Sequence, residues 1–285
     1  MSKMFTVQDF YRRFPTDDAC LDHLFTIQHG NPLTCPKCGR SSRFHRVRKR
    51  PVFECQWCGH QVSPMVGTPF EKSRTPLQKW FYAMYLFTTS RHGVAAKELQ
   101  RQLGITYKAA WRMAHEIRKY MAQVDGNGSL GGHVEVDETV IGGYRPGKRG
   151  RAAAGKTIVM GMLERDGEAM TMVIPDVRRD TLQPIVRANV ERGSTVHTDE
   201  LGSYRGLGYK GYRHKTVNHS RGEYVKGNSH VNGIEGYWSR LKNSIRGTHT
   251  HVSRKHLSKY LGEFEYRFNM RGKPEAMFAR LLLSF

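Results

Sequence analysis

Apolar positions recur at helical spacing between residues 75 and 117 and again after residue 230, and from residue 132 the pattern changes to short strand-like runs. Leu77, Trp80, Phe81, Met84 and Tyr85 share one face of a helix opened by Thr75-Pro76, a core face rather than a site. A short helix carrying Leu99 ends at Gly104, and Thr106 caps a second helix whose Ala110, Trp111 and Ala114 turn inward. That spacing predicts a helix-turn-helix, and its second helix would present Tyr107, Lys108 and Arg112 outward to DNA. Gly126-Asn-Gly-Ser-Leu-Gly-Gly132 reads as a linker. Beyond it His133-Val-Glu-Val-Asp137 alternates, with Val134 and Val136 on one face and Glu135 and Asp137 on the other. Thr157–Leu163 and Met170–Ile174 read as a hairpin turning at Arg165-Asp166-Gly167. A helix follows around residues 180–191, then a short strand, Ser194–Thr198, ending at Asp199-Glu200. Ile234, Trp238, Leu241 and Ile245 form the buried stripe of a later helix, and Asn232, Glu235 and Lys242 lie together on another of its faces. Ser253 is expected to cap a last helix carrying Leu257, Tyr260, Leu261, Phe264 and Phe268.

These elements give an α/β multidomain chain. Residues 1–68 hold the cysteine-rich segment, 69–125 a helical helix-turn-helix domain, and 126–285 a strand-and-helix domain. The 285 residues are enough for two or three domains. The longest apolar run, Trp80–Phe87, is too short to span a bilayer, and the first fourteen residues lack a signal-like apolar stretch. The expected location is therefore the cytoplasm, at the nucleoid, with no membrane partner.

Charge narrows the partner. Forty-six Lys and Arg against 25 Asp and Glu leave a net charge of +21, which favours a polyanion. Arg40–Arg50 holds six basic residues and no acid, and its Arg46, Arg48 and Arg50 are candidate contacts to phosphates. Residues 205–273 carry fifteen Lys or Arg and four acids. His230, His249 and His251 in that stretch are read as phosphate contacts or solvated loop groups rather than a metal site. Arg267 and Arg271 fit either ion pairs or DNA contacts.

Four of the five cysteines form Cys35-Pro-Lys-Cys38-Gly and Cys55-Gln-Trp-Cys58-Gly, two C-x2-C knuckles sixteen residues apart. This is zinc-ribbon spacing: Cys35, Cys38, Cys55 and Cys58 would close a tetrahedral shell around one structural Zn²⁺, with Gly39 and Gly59 relaxing each turn. Two disulfides would use the same thiols, but a reducing compartment disfavours them. Cys20 has no partner in this pattern and is read as a buried small hydrophobe.

Gly150-Arg-Ala-Ala-Ala-Gly155-Lys156-Thr157 matches the phosphate-binding loop G-x4-G-K-[ST]. The mechanism of that loop needs a strand before it and a helix after it. Here a basic turn precedes it and a β-type run follows, so no nucleotide is expected. Lys148, Arg149 and Arg151 in this basic stretch are instead assigned to DNA backbone, as are Lys242 and Arg246 further along.

The segments Val134-Glu-Val-Asp137-Glu-Thr with Gly142-Gly143, His197-Thr-Asp199, His230-Val-Asn-Gly-Ile-Glu235-Gly-Tyr-Trp-Ser-Arg-Leu-Lys242, His251-Val-Ser-Arg-Lys-His256-Leu and Glu263–Arg271 together resemble DDE transposases of bacterial insertion sequences. The branch resembled has an N-terminal zinc ribbon and an Asp-Asp-Asn/Glu-Lys signature. The resemblance implies an RNase H-like catalytic domain with a mixed sheet, and acids on the first and fourth strands and on a late helix. It implies Asp137, Asp199 and Glu235 as ligands of two catalytic Mg²⁺ ions, for which Mn²⁺ would substitute, with Lys242 on a phosphate near the scissile bond. Asn232 and Glu235 both fit the third position. A carboxylate binds Mg²⁺ better than an amide, so Glu235 is preferred and Asn232 is a second contributor. Glu135, on the strand face of Asp137, competes for the ligand role.

The implied function is binding of an element's terminal repeats, Mg²⁺-dependent strand cleavage, and strand transfer into target DNA. Double-stranded DNA is the partner, and a homodimer or larger synaptic assembly is expected. A DNA-binding regulator derived from a decayed transposase is the competing reading, and a structure-selective nuclease a third. The acids at all three expected positions argue against decay.

Overall fold

Residues 5–124, 128–142, 156–217 and 230–284 are described by the computed structural model. Contacts divide the chain into two units, Met1–Tyr120 with Lys273–Phe285, and Met121–Gly272. Among the described residues no helix is long and apolar enough to cross a membrane.

In the first unit, helix α1 (Val7–Arg13) starts with a capping box. Thr6 Oγ1 accepts from Asp9 N at 3.2 Å and Asp9 Oδ2 accepts from Thr6 N at 3.1 Å. Helix α2 (Asp17–His29) follows. Strands β1 (Leu33–Thr34) and β2 (Ser41–Ser42) pair antiparallel, as do β3 (Phe44–Arg46), β4 (Phe53–Cys55) and β5 (Gln61–Val62) in the order β3-β4-β5. Phe25 of α2 stacks on Phe53 with ring centres 4.1 Å apart, which packs the three-stranded sheet against the helix. Cys20 is fully buried, and burial pushes its thiol up to about 12, as suits an inert core group. Helix α3 (Leu77–Thr89) follows Pro76 as read from sequence. Helix α4 (Ala96–Leu103) stops at Gly104 in the left-handed conformation, φ +58°, and Thr106 Oγ1 caps α5 (Tyr107–Val124) through Ala109 N at 3.3 Å. Ala110 and Ala114 are buried as expected, but Trp111 is 40% exposed. The inward seam of α5 is Ala110, Met113, Ala114, Ile117 and Met121. Trp111 lies off that line and packs on the ring of His115, 3.9 Å away.

The second unit is a mixed sheet between helical layers. Its strands are β6 (His133–Ile141), β7 (Thr157–Glu164), β8 (Ala169–Ile174), β9 (Thr195–Thr198) and β10 (Arg213–Thr216), in the order β10-β9-β6-β7-β8. The β6–β7 and β7–β8 pairs are antiparallel, and β9 runs parallel to both β6 and β10. Helix α6 (Arg179–Asn189) with Tyr204, Leu207 and Tyr212 covers the face bearing Val134, Val136, Met160, Met162 and Val196. Helices α7 (Asn232–Ser244) and α8 (Arg254–Asn269) cover the opposite face at Ile141, Val159, Leu163 and Ala169. This arrangement is consistent with the RNase H-like domain the resemblance implied. Thr157 opens a strand, so the helix a nucleotide loop requires is missing; residues 150–155 of that motif lie outside the described residues.

Ser253 precedes α8, although its side chain makes no cap hydrogen bond. Nor is α8 the last helix: α9 (Pro274–Leu282) follows and packs against α3 in the first unit, with Phe278 among the rings of Phe10, Phe14 and Tyr85. Residues 273–285, grouped by sequence with 126–285, thus cluster with the N-terminal segment.

Candidate active site

Strand β6 sends Glu135, Asp137, Thr139 and Ile141 toward α7, because alternate residues share a face. Directly across the ladder from Asp137 stands Gly161 of β7. A Cβ there would lie 2.5 Å from the Trp238 ring, so only glycine leaves the slot that ring fills. From that slot the indole Nε1–H donates to Asp137 Oδ2 at 3.1 Å. Glu235 lies one turn before Trp238, exposed in the first turn of α7, where a carboxylate suits the helix dipole. Asp199 follows β9, and its Oδ1 accepts from Leu201 N at 3.0 Å.

Burial raises the Asp137 carboxyl to about 6, and the negative charges of Asp199 and Glu235 push the same way. The Glu138 N–H and the Trp238 indole oppose them. Lys242, half-buried two turns beyond Glu235, feels Asp137 as well; burial and the cation Arg246 hold its ammonium below the ordinary lysine value. Beside it a cavity of about 310 Å³ is lined by Gly142, Lys242, Arg246, His251 and neighbouring apolar groups. The Arg246 stretch is a π-helical turn, Ile245–His249, that ends at Thr250 with φ +60°, an unfavourable conformation for a β-branched residue. Asn232 is exposed at the first position of α7.

Glu135 is not available as a ligand. It is fully buried: Oε1 accepts from Arg165 Nε at 2.9 Å and faces His230 Nδ1 at 3.1 Å, and Oε2 accepts from Ile234 N at 3.0 Å. Arg165 also donates to His230 O at 2.9 Å. The carboxylate therefore clamps the β7–β8 turn and the start of α7 onto β6. Gly233 permits this, since a Cβ there would meet Glu135 Oε2 at 2.8 Å. His230 belongs to this clamp rather than to a solvated loop. At Gly236 the nearest atom to an added Cβ is 3.6 Å away, and nothing in the structure explains a glycine there. Arg267 pairs with Glu263, and Arg271 donates to Gly167 O at 3.1 Å while lying over the Phe268 ring, so both have protein partners. Behind Asp199, His197 is fully buried, its Nε2 3.0 Å from His133 Nδ1. Burial first, then Arg165, lowers it to about 4, so it is neutral at pH 7.

The cysteine centre is separate. The Sγ atoms of Cys35 and Cys58 are 3.6 Å apart, those of Cys38 and Cys55 are 4.0 Å apart, and all four lie within 4.8 Å of one another. Zn–S bonds of about 2.3 Å imply S···S edges of about 3.8 Å in a tetrahedron, whereas a disulfide needs about 2.05 Å. The set fits Zn²⁺, and Gly39 and Gly59 sit at φ +67° and +68° as the knuckles require. Among the described residues no other His, Cys, Asp or Glu group is gathered this closely; the three carboxylates couple through charge without converging to that distance.

Of the basic residues singled out by sequence, Arg48 and Arg50 are exposed. Arg46 is held by Asp18 and by the Arg50 carbonyl, and lies over the Phe53 ring. Tyr107, Lys108 and Arg112 are exposed on α5, with Lys97 over the Tyr107 ring at 4.8 Å and Arg112 donating to Pro69 O at 3.1 Å. Arg246 is exposed. Lys148, Arg149 and Arg151 lie outside the described residues.

A zinc ribbon ahead of a mixed sheet with acids on its first strand, after its fourth and on a later helix defines a transposase-type chain. Residues 129–269 match the ISXO2-like transposase domain and residues 15–61 the transposase zinc-ribbon domain. The chain belongs to this transposase family. A protein of the transposable element ISH50 of Halobacterium salinarum is 25% identical over 283 residues, 92% of this chain and 94% of that protein. A transposase-like protein of Haemophilus influenzae is 34% identical over 99 residues, 35% of this chain and 79% of that protein. A chain in the cryo-EM structure of the simian T-cell lymphotropic virus intasome in complex with PP2A regulatory subunit B56 gamma is 12% identical, with a TM-score of 0.31. That likeness covers 64% of this chain and 65% of the other, and so low a score carries no argument about fold or function.

Proposed function

We propose that this chain is a DDE transposase that binds the terminal repeats of its element, cleaves DNA strands and joins the freed ends to target DNA. The observation that carries the reading is the register of α7 against β6. Trp238, hydrogen-bonded to Asp137, brings the face bearing Glu235 and Lys242 to the strand that carries the first acid. Asp199 and Glu235 press on Asp137 with like charge, and such a cluster suits divalent cations with oxygen ligands. Asp137, Asp199 and Glu235 would hold two Mg²⁺, or Mn²⁺ in their place. When bound, such ions activate an attacking hydroxyl and stabilise the leaving oxygen of an in-line displacement. With two ions to share, the three acids would not all need to converge on one point.

The protein's own groups set the geometry. Trp238 orients Asp137 through one oxygen and leaves lone pairs of the carboxylate for ligands. The Glu135 clamp fixes the start of α7 and with it Glu235. Lys242 and Arg246 meet a phosphate at the adjoining cavity. Arg48, Arg50, Tyr107, Lys108 and Arg112 contact DNA from the first unit. Synapsis of two element ends calls for a dimer or larger assembly.

The test is incubation of the purified full chain with terminal-repeat duplex and Mg²⁺. Cleavage at the repeat end followed by joining to a second duplex supports the proposal. Binding with every strand intact marks a regulator, and cutting without joining marks a nuclease.

A further inference from the structure

The loop that grows out of Asp199 does more than close the sheet. After Leu201, anchored to Asp199 Oδ1, it makes short 3-10 turns at Gly202–Tyr204 and Leu207–Lys210. Gln183, buried in α6, pins this loop, its Nε2 donating to Ser203 O at 2.9 Å and Arg205 O at 3.0 Å. Ser203 Oγ adds a bond to Val177 O at 2.6 Å. Between loop and helix lies an open groove of about 420 Å³.

Its walls are cationic. Arg179 and Arg187 stand one turn either side of Gln183 on the same face of α6, and Arg205 and Lys210 face them from the loop. All four are exposed, and none is ion-paired among the described residues. Among the described residues Asp180 is the one acid lining the groove. At its rim Tyr209 is 97% exposed. A lone exposed aromatic needs no explanation. Beside four free cations on a braced frame, however, it completes the pairing used for nucleic-acid strands: charge for the backbone and a ring for an unstacked base.

We propose that this groove holds the DNA that carries the scissile phosphate, on its flank beyond Asp199. Arg179, Arg187, Arg205 and Lys210 bind its backbone without regard to sequence, and Tyr209 stacks on a base left unpaired next to the cut. The proposal rests on the transposase reading for the identity of the DNA, and its test is separate from catalysis. Binding is measured without Mg²⁺, over a range of salt, for the full chain and two variants: Arg179→Gln/Arg187→Gln/Arg205→Gln and Tyr209→Ala. The substituted side chains are exposed, so thermal melting serves as the check that both variants fold. The triple variant is expected to lower the slope of log K against log salt by up to about 2.7, since each lost phosphate contact removes about 0.9. The loss should be equal on terminal-repeat and unrelated duplex. Tyr209→Ala should weaken binding to a duplex with an unpaired end about 5- to 150-fold and leave blunt duplex unaffected. A folded triple variant with the wild-type slope overturns the proposal, as does a loss confined to repeat sequence. If the variants bind as expected but the wild type never cuts, the groove stands and the enzymatic reading falls.

Discussion

Gly161 stands opposite Asp137 in the β6–β7 ladder, and the space its missing side chain leaves is filled by the ring of Trp238, which hydrogen-bonds that same aspartate. One residue without a side chain thus governs how an acid on a strand meets a helix. Gly161→Ala would place a Cβ 2.5 Å from the ring. The ring cannot stay, so overpacking should cost about 1–3 kcal/mol, and Asp137 should lose its donor. Trp238→Phe separates the effects, keeping most of the packing while deleting the N–H. Urea unfolding should show a clear loss for Gly161→Ala and a smaller one for Trp238→Phe, and DNA cleavage should fall in both. Full stability in Gly161→Ala would mean that the slot is wider than described.

Glu135 makes the contrasting case of an acid committed to structure. Removing one partner from a buried, hydrogen-bonded charge set leaves the others uncompensated, at a cost of about 3–5 kcal/mol. Glu135→Ala should approach that loss, and Glu135→Gln should lose less because an amide oxygen still accepts from Ile234. A double-mutant cycle of Glu135→Gln with Arg165→Gln should be non-additive, since the two share one network. Additive losses in denaturant unfolding would show that Arg165 and Glu135 act independently.

This contrast marks the limit of what the sequence reveals. The alternation His133–Asp137 placed Glu135 and Asp137 on one face, and the helical stripe Ile234, Trp238, Leu241, Ile245 placed Glu235 and Lys242 off the core; both hold. Which acid is structural was not legible, because Glu135 meets Arg165 and Ile234, 30 and 99 positions away. Gly161 gave no signal for the same reason. Strand β10, Arg-His-Lys-Thr, has no apolar alternation to betray it, being an edge strand. Trp111 misled by its hydrophobicity, since its angular position on α5, not its side chain, decides its exposure.

Asp137 and His197 give the site a pH signature of two opposite signs. Asp137 is raised from 3.8 to about 6, so between those values the folded state holds the extra proton and stability falls as pH rises. His197 is lowered from 6.5 to about 4. There the unfolded state binds more protons, and stability rises with pH over nearly the same window. The two partly cancel in the wild type, so the informative quantity is a difference. In Mg²⁺-free buffer Asp137→Asn should gain stability relative to wild type as pH climbs from about 4 to 6. Saturating Mg²⁺ should remove that gain, because the cation competes with the proton in the wild type only. Denaturant unfolding at a series of pH values reads this directly, and a constant difference between the proteins would refute it.

The zinc centre should behave as a local folding element. Zinc takes its ligands as thiolates and displaces their protons, and without it nothing ties the two knuckles together, so metal binding is coupled to folding of the small sheets. One zinc per chain is expected by elemental analysis. Strong chelation, or Cys55→Ser, should abolish hydrogen-exchange protection in the strands from Leu33 to Val62 and leave protection in β6–β9 largely intact. Loss of both together would show that the two units unfold as one.

The third acid separates chemically from its neighbour. Asn232 and Glu235 lie three residues apart on one face of α7, but only a carboxylate carries charge, and Glu235 is among the groups that raise Asp137. Glu235→Gln should therefore lower the Asp137 pKa in metal-free protein, read by carboxyl ¹³C NMR, while Asn232→Ala leaves it unchanged. In the DNA assay with Mg²⁺, Glu235→Gln should lose more than the roughly 10- to 100-fold typical of an outer-shell partner, and Asn232→Ala should lose less. If Asn232→Ala proved inactive while Glu235→Gln still cut DNA, the amide would be the ligand and Glu235 only a source of field. The NMR shift would still report that field, which is why the two measurements are needed together.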